Sequence, residues 1–417
     1  MSDLNALDMG FVRGHFPGLA DDWAYFDNAG GSQIAQPALD RITRFLTERH
    51  VQIGGSYPRS MAAAAALQEA REDARTLVNA ARPEEIVFGP STTALLQYLA
   101  TSMRSQLSAG DEIIVTVSDH ESNIGPWMRL EEFGIVIKVW PLNRETLTLD
   151  LVDLEKLMSP RTRLVCIHHV SNILGVINPV RDIADFVHER GARLCVDAVA
   201  YAPHRAIDVR AWDVDYYVFS LYKTYGPHHA LMYGKFDHLL ELDTLYHYFY
   251  GKDKVPGKLE PGNANYEMSF SVCGIVDYLS GVARNAGATG GRRAEVERFF
   301  ALATKQENVL AGRLTAYLAG RRDCRIVAPE TNVADNRIPT IAFKLAGKDS
   351  GEVARAMEKA KVAVRFGDFH SRRLVEHLGL SDGSGVVRAS LVHYNTVEEV
   401  DRMIARLDEA FPLARAS

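Results

Sequence analysis

The sequence predicts an α/β protein, with a large, mostly parallel sheet of seven strands and a smaller α+β domain. Two observations predict it. Between residues 84 and 234, short β-branched runs alternate with segments of helical period, a rhythm that lays strands in parallel with helices on both faces. After about residue 285 this rhythm stops, and long charged helical patterns with weak strands replace it. A length of 417 residues allows about two domains. Residues 22–284 are assigned to the large one, and residues 1–21 with 285–417 to the small one.

The seven strands are Glu85–Phe88, Ile113–Val117, Ile135–Trp140, Leu164–His168, Leu194–Val196, Tyr216–Phe219 and Ala230–Tyr233. Each is a short apolar run bounded by turn residues. Between them, Thr93–Gln106 and Ile183–Arg190 have helical spacing, and Ala62–Ala66 is helix by propensity. Residues 246–265, rich in Gly, Lys and Pro, read as a loop crossing. Beyond them, Arg292 to Leu318 predicts one long charged helix and Val397–Phe411 a final amphipathic one.

Composition excludes several classes of function. A net charge of −6 with scattered Lys and Arg leaves no basic footprint for nucleic acid. No window approaches the ~18 apolar residues of a membrane span. Acidic residues near the start stand where a signal peptide is basic, so a cytoplasmic location is expected. Cys166, Cys195, Cys273 and Cys324 are too widely spaced for a disulfide framework or a C-x-x-C site. His168-His169 and His228-His229 are adjacent pairs, and neighbours on a strand face opposite sides. No metal site is expected.

In sheets of this kind, ligands gather where strands end. After the first strand come Ser91, Thr92 and Thr93 at a helix start: an anion site, or a plain cap. His120 follows the second strand, and Asn172 lies in the polar turn after the fourth. Asp197 ends the fifth, where a charge needs a partner. Lys223 follows the sixth; a lysine in a partly apolar pocket is a nucleophilic amine, whereas one at the surface simply snorkels. Each residue has an ordinary reading by itself. The ordered set of anion site, imidazole, carboxylate and lysine matches what pyridoxal phosphate requires.

Tyr25-Phe26-Asp27-Asn28-Ala29-Gly30, Asp119-His120-Glu121-Ser122-Asn123, Val170-Ser171-Asn172-Ile173-Leu174-Gly175, Phe219-Ser220-Leu221-Tyr222-Lys223 and Val387-Arg388-Ala389-Ser390 carry a resemblance across nearly the whole chain. They resemble the class V aminotransferase family of fold-type I pyridoxal phosphate enzymes, most closely its cysteine desulfurase and selenocysteine lyase branch. The resemblance implies that Lys223 anchors the cofactor covalently and moves the α-proton, that Asp197 pairs with the pyridine nitrogen, and that His120 stacks on the ring. It implies phosphate contacts from Ser91, Thr92, Thr93, Ser220 and Asn263. It also implies substrate contacts from Asn28, Asn172, Arg365 and Arg388, Asn172 lying near the cofactor too. The implied substrate is an amino acid. The implied assembly is a homodimer in which Gly262–Asn265 completes the partner's site.

The departures from that family bear on the reaction. Where cysteine desulfurases carry the persulfide-forming cysteine, ungapped alignment of Val364-Arg365-Phe366-Gly367-Asp368-Phe369-His370 puts His370. Ala200 replaces a glutamine and Tyr222 a histidine beside the cofactor. The expected reaction is β-elimination of a C–S or related bond without a persulfide, with His370 as a catalytic group. Transamination or epimerisation is the alternative, and a cofactor-free binding protein a remote one. Ser220-Leu221-Tyr222-Lys223 also fits Ser-x-x-Lys hydrolases, but their companion tripeptides are absent.

Overall fold

A short strand, β1 (Ala24–Tyr25), precedes the seven strands of the large sheet. These are β2 (Ile86–Gly89), β3 (Glu112–Thr116), β4 (Val136–Trp140), β5 (Thr162–His168), β6 (Arg193–Asp197), β7 (Tyr216–Ser220) and β8 (Ala230–Gly234). Their order is β2-β8-β7-β6-β5-β3-β4, with β8 antiparallel to both neighbours and the rest parallel. The computed structural model describes residues 6–329 and 336–413. The expected small domain's extreme ends, residues 1–5 and 414–417, and its stretch 330–335 lie outside these.

The continuous apolar character of the strands has a simple cause. Helices cover both faces of a parallel sheet, so both side-chain sets are buried, except on the edge strand β4, where Val136 and Val139 are exposed. Val165 and Ile167 of β5 join the core beneath the helices Gln36–Glu48, Pro58–Val78 and Tyr266–Asn285; Leu164 and Cys166 join the core beneath Thr92–Met103. The long helix Arg292–Gly320 then leads to an antiparallel sheet. Its strands are β9 (Cys324–Ile326), β10 (Thr340–Leu345), β12 (Arg365–Gly367) and β13 (Val386–Ser390), in the order β12-β13-β10-β9.

The N-terminal segment departs from the expected division. β1 pairs in parallel with β11 (Val362–Ala363), and Ala24 and Phe26 are buried in the core of the smaller sheet. Phe16 instead packs on Tyr278 and Tyr394, with ring centroids 5.1 and 4.7 Å away. The chain thus forms a separate two-stranded sheet with β11 at β1, against the small sheet's core, and returns to the large domain after it. Hydrophobic content cannot signal this, because two-residue strands have no readable period.

One buried ion pair fixes the start of the site. Glu260 accepts the Phe88 N–H at 2.8 Å on one oxygen and meets Arg71 at 2.6 Å on the other, while Arg71 also donates to the Ile86 carbonyl at 2.6 Å. Both side chains are at most a tenth exposed. Removing one partner strands the other's charge. Glu260→Ala is expected to destabilise the protein by about 3 kcal/mol, read as a lowered denaturant midpoint, with Glu260→Gln milder because it keeps the bond to Phe88.

Candidate active site

The C-terminal ends of β2, β3, β5, β6 and β7 open into one cleft of about 550 Å³. It brings together Ser91, Thr92, Thr93, His120, Asn172, Asp197, Ser220 and Lys223. Ser91 caps the helix Thr92–Met103, its hydroxyl accepting the Ala94 N–H at 3.1 Å. Thr92 and Ser220 hydroxyls stand 2.8 Å apart across the β2 and β7 ends. The helix's uncapped N–H groups and this hydroxyl pair form a concave donor set suited to an anion.

His120 is positioned by its own turn. The Ser122 N–H donates to Nδ1 at 3.1 Å, which leaves the ring proton on Nε2. Burial, then the neighbouring Lys223 and His370, lowers its pKa to about 4. The ring is neutral at ordinary pH and offers its face without charge.

Asp197 lies on the cleft floor, 5% exposed, and accepts the Val199 N–H at 2.9 Å. Among the described residues no cation pairs with it. Burial, and then the nearby Asp119 charge, pushes its pKa up to about 7. Beside it, His168 meets Asp119 at 3.6 Å, and Asn123 donates to Asp119 at 2.8 Å. Lys223 ends the 3-10 turn after β7, its amine 5.7 Å from the Tyr222 ring centre. Burial and then Arg388 lower its pKa to about 8, so about a tenth of it is neutral at pH 7.

The small domain supplies the roof. Phe369 and His370 both have left-handed backbone, φ +52° and +57°, at a cost of roughly 1–2 kcal/mol each. Four hydrogen bonds hold them. Asn172 donates to the Phe369 carbonyl at 3.0 Å and accepts from the Ser371 hydroxyl at 2.8 Å; the Glu121 N–H donates to the His370 carbonyl at 2.8 Å, and the His370 N–H to Asp368 at 3.1 Å. Arg373 pairs with Glu121 at 3.1 Å. The His370 ring lies 5.3 Å from that of His120. Arg388 is buried beside this roof, donating to the Asn172 carbonyl at 3.1 Å, with its guanidinium carbon 3.8 Å from the Phe369 ring centre.

A family model described as Aminotransferase class-V matches residues 24–246 and 297–403. The chain belongs to this family. An aminotransferase-like protein, FGM3 of Gibberella zeae, is 41% identical over 406 residues, covering 95% of this chain and 97% of the relative. A cysteine desulfurase-like protein, ustD of Aspergillus flavus, is 34% identical over 416 residues, covering 97% and 91%. The solved cysteine desulfurase CsdA of Escherichia coli matches with a TM-score of 0.83 at 26% identity, covering 98% of this chain and 99% of that one.

Class-V aminotransferases are pyridoxal phosphate enzymes of fold type I, and the cleft fits that group. Among its buried polar groups is a carboxylate lacking a cation, its amine is poised to lose a proton, and its helix end suits an anion. The side that Ala200 and Val199 line is apolar, consistent with the loss of the family's glutamine. Tyr222 stacks on His228 at 4.6 Å and 10° rather than pointing a second imidazole at the cleft.

Two expected contacts are arranged otherwise. Asn28 is 3% exposed, its amide donating to the Tyr25 carbonyl, the Ser390 carbonyl and Asn395, and its oxygen accepting from Tyr394. Both ends of its amide are engaged in joining the small sheet to the N-terminal turn. Asn263 lies outside this chain's cleft, accepting from the Tyr246 hydroxyl at 3.2 Å. Asp27, Asp119 and His168 went unnoticed in the sequence. Asp27 and Asp119 stood inside motifs already singled out, and the adjacency of His168 to His169 masked it.

The bare floor carboxylate has a measurable consequence. Because the folded-state pKa of Asp197 is raised, the native state holds a proton that the unfolded chain has released between about pH 4 and 7, and stability falls as pH rises through that window. In cofactor-free protein, Asp197→Asn is expected to raise the melting temperature at pH 8 and to change it little near pH 4. The same variant is expected to bind pyridoxal phosphate more weakly. A cofactor-free melting temperature unchanged at pH 8 counts against an unpaired charge on Asp197.

Proposed function

We propose that this protein is a pyridoxal phosphate-dependent lyase that eliminates a β-substituent from an amino acid, breaking a C–S or related bond without a persulfide cysteine. One observation carries the reading: the cleft of a cysteine desulfurase-like chain contains no thiol, and the exposed His370 lies at its edge, its ring 5.3 Å from that of His120. Cys166, Cys195 and Cys273 are buried in helices and sheet, and Cys324 lies on β9 of the small sheet, with burial pushing its thiol up to about 12. When bound, the cofactor supplies an electron sink for the carbanion left at Cα. Lys223, a cleft amine whose pKa is lowered to about 8, would take the α-proton. Arg388, with its guanidinium packed on Phe369, receives the α-carboxylate. His370 would donate a proton to the leaving group as the Cβ–heteroatom bond breaks and, being exposed, take a proton back from solvent. His120 and the roof residues exclude water from the reacting face.

Transamination is the competing outcome, favoured by the identity to an aminotransferase-like relative; epimerisation needs only return of the α-proton to the opposite face. Purified protein is expected to show the visible absorbance of the bound cofactor, and Lys223→Ala to lose it. Incubation with cysteine conjugates is expected to yield pyruvate, with His370→Ala lowering its rate by about 10²-fold or more. Stoichiometric amino-form cofactor without pyruvate would sink the lyase reading, and accumulation of D-amino acid would replace it with epimerisation.

The proposed assembly is a homodimer with shared sites. Asn263, turned away from its own cleft with φ +75°, is read as a phosphate contact for the partner. Mixing Lys223→Ala with Asn263→Ala protein is then expected to restore about a quarter of wild-type activity through hybrid dimers with one intact site. No recovery, with subunit exchange demonstrated, counts against sharing.

A further inference from the structure

Asp27 is held in an unusual place. Arg365 and Arg388 are directly opposed across β12 and β13, and they flank one ring, Phe369, at 6.0 and 3.8 Å. Like charges directly opposed on a sheet repel, so the pair requires an anion. Asp27 is that anion. One oxygen lies 3.3 Å from Arg388, the other 3.6 Å from Arg365. The turn after β1 boxes the carboxylate in: Gly30 N–H donates to the Asp27 carbonyl at 2.8 Å, and a Cβ on Gly30 would stand 2.7 Å from a carboxylate oxygen.

Charge and exposure then define what the triad lacks. Two guanidiniums and one carboxylate leave a net positive charge. Arg388 is 2% exposed and its Nε is buried without a hydrogen-bond partner, whereas the Arg365 side chain is 55% exposed. A second carboxylate arriving at Arg388 would balance the set, provided that Asp27 gives way.

We infer that Asp27 is a specificity-determining residue that occupies Arg388 in the resting enzyme and passes to Arg365 when the substrate's α-carboxylate arrives. The inference rests on the proposed role of Arg388 as carboxylate receiver. Its consequence is selectivity: a plain anion must displace Asp27 with no other contact to compensate, while an amino acid also gains its bond to the cofactor.

Calorimetric titration of the holoenzyme with acetate, and separately with L-alanine, tests this. Asp27→Asn is expected to tighten acetate about tenfold and L-alanine less. Arg365→Gln, which removes the receiving arm, is expected to weaken both ligands, and this weakening is expected to disappear in the Asp27→Asn background. Persistence of the Arg365→Gln effect in that background overturns the handover, because a general field would act in both. Unchanged or weaker acetate binding by Asp27→Asn overturns it too. If Asp27→Asn fails to fold, Gly30→Ala, whose Cβ would press on both carboxylate oxygens at 2.7 and 2.8 Å and so loosen Asp27 from both arginines, is expected to tighten acetate in its place, and no tightening overturns the handover. Acetate bound equally well by Arg388→Ala shows instead that the carboxylate reading of Arg388 is wrong, and the handover falls with it.

Discussion

The rest of the site is organised around a buried carboxylate without a counter-ion. Asp197 ends β6, flanked by β5 and β7, and its backbone is fixed by the sheet ladder. A charge in that position is costly unless a cation or a proton answers it. The neighbouring Asp119 makes the cost larger. The large domain thus builds a floor whose electrostatics are incomplete by construction. The parallel strands on either side, apolar on both faces, keep that floor from relaxing toward water.

The roof works by the opposite logic. Where the floor leaves a charge unanswered, the segment around Phe369 and His370 is over-determined, with Asn172, Glu121, Asp368 and Ser371 holding two residues in a backbone conformation they would otherwise avoid. Strain of this kind persists only where surrounding contacts enforce it. Because Asn172 and Glu121 belong to the large domain, the roof's geometry depends on how the small domain docks. Arg388 is a second link, reaching the Asn172 carbonyl from β13.

Much of this was legible in the sequence. The central strands, buried on both faces, are apolar with little interruption, and even the exposed edge strand β4 carries only one charge, so all seven were visible as runs, and the chemistry-bearing residues stood at their ends. The phosphate-type helix start and Lys223 announced themselves by residue type and place. What escaped notice had no local signal. Asn28 looked like a substrate contact because its motif did; only the fold reveals that Tyr394 and Asn395, more than 360 residues away, take up its amide. Asp27 sat two residues before two small ones, and its importance arises from two arginines brought together by β12 and β13. Strand β1, paired with β11 alone, is too short to have a period. Long-range pairing of polar groups is set by topology, and a linear pattern cannot display it.

The placement of the cysteines bears on how such an enzyme would keep time. Cys166 and Cys195 face each other across adjacent strands in the sheet core, and none of the four thiols reaches the cleft. An enzyme that stores a sulfur atom on its own side chain must wait for an acceptor to unload it, so its rate is tied to the supply of that acceptor. Under the proposed elimination nothing of the substrate stays on the polypeptide after release. Each turnover would begin from the same state as the last, and the enzyme would carry no memory of its previous substrate.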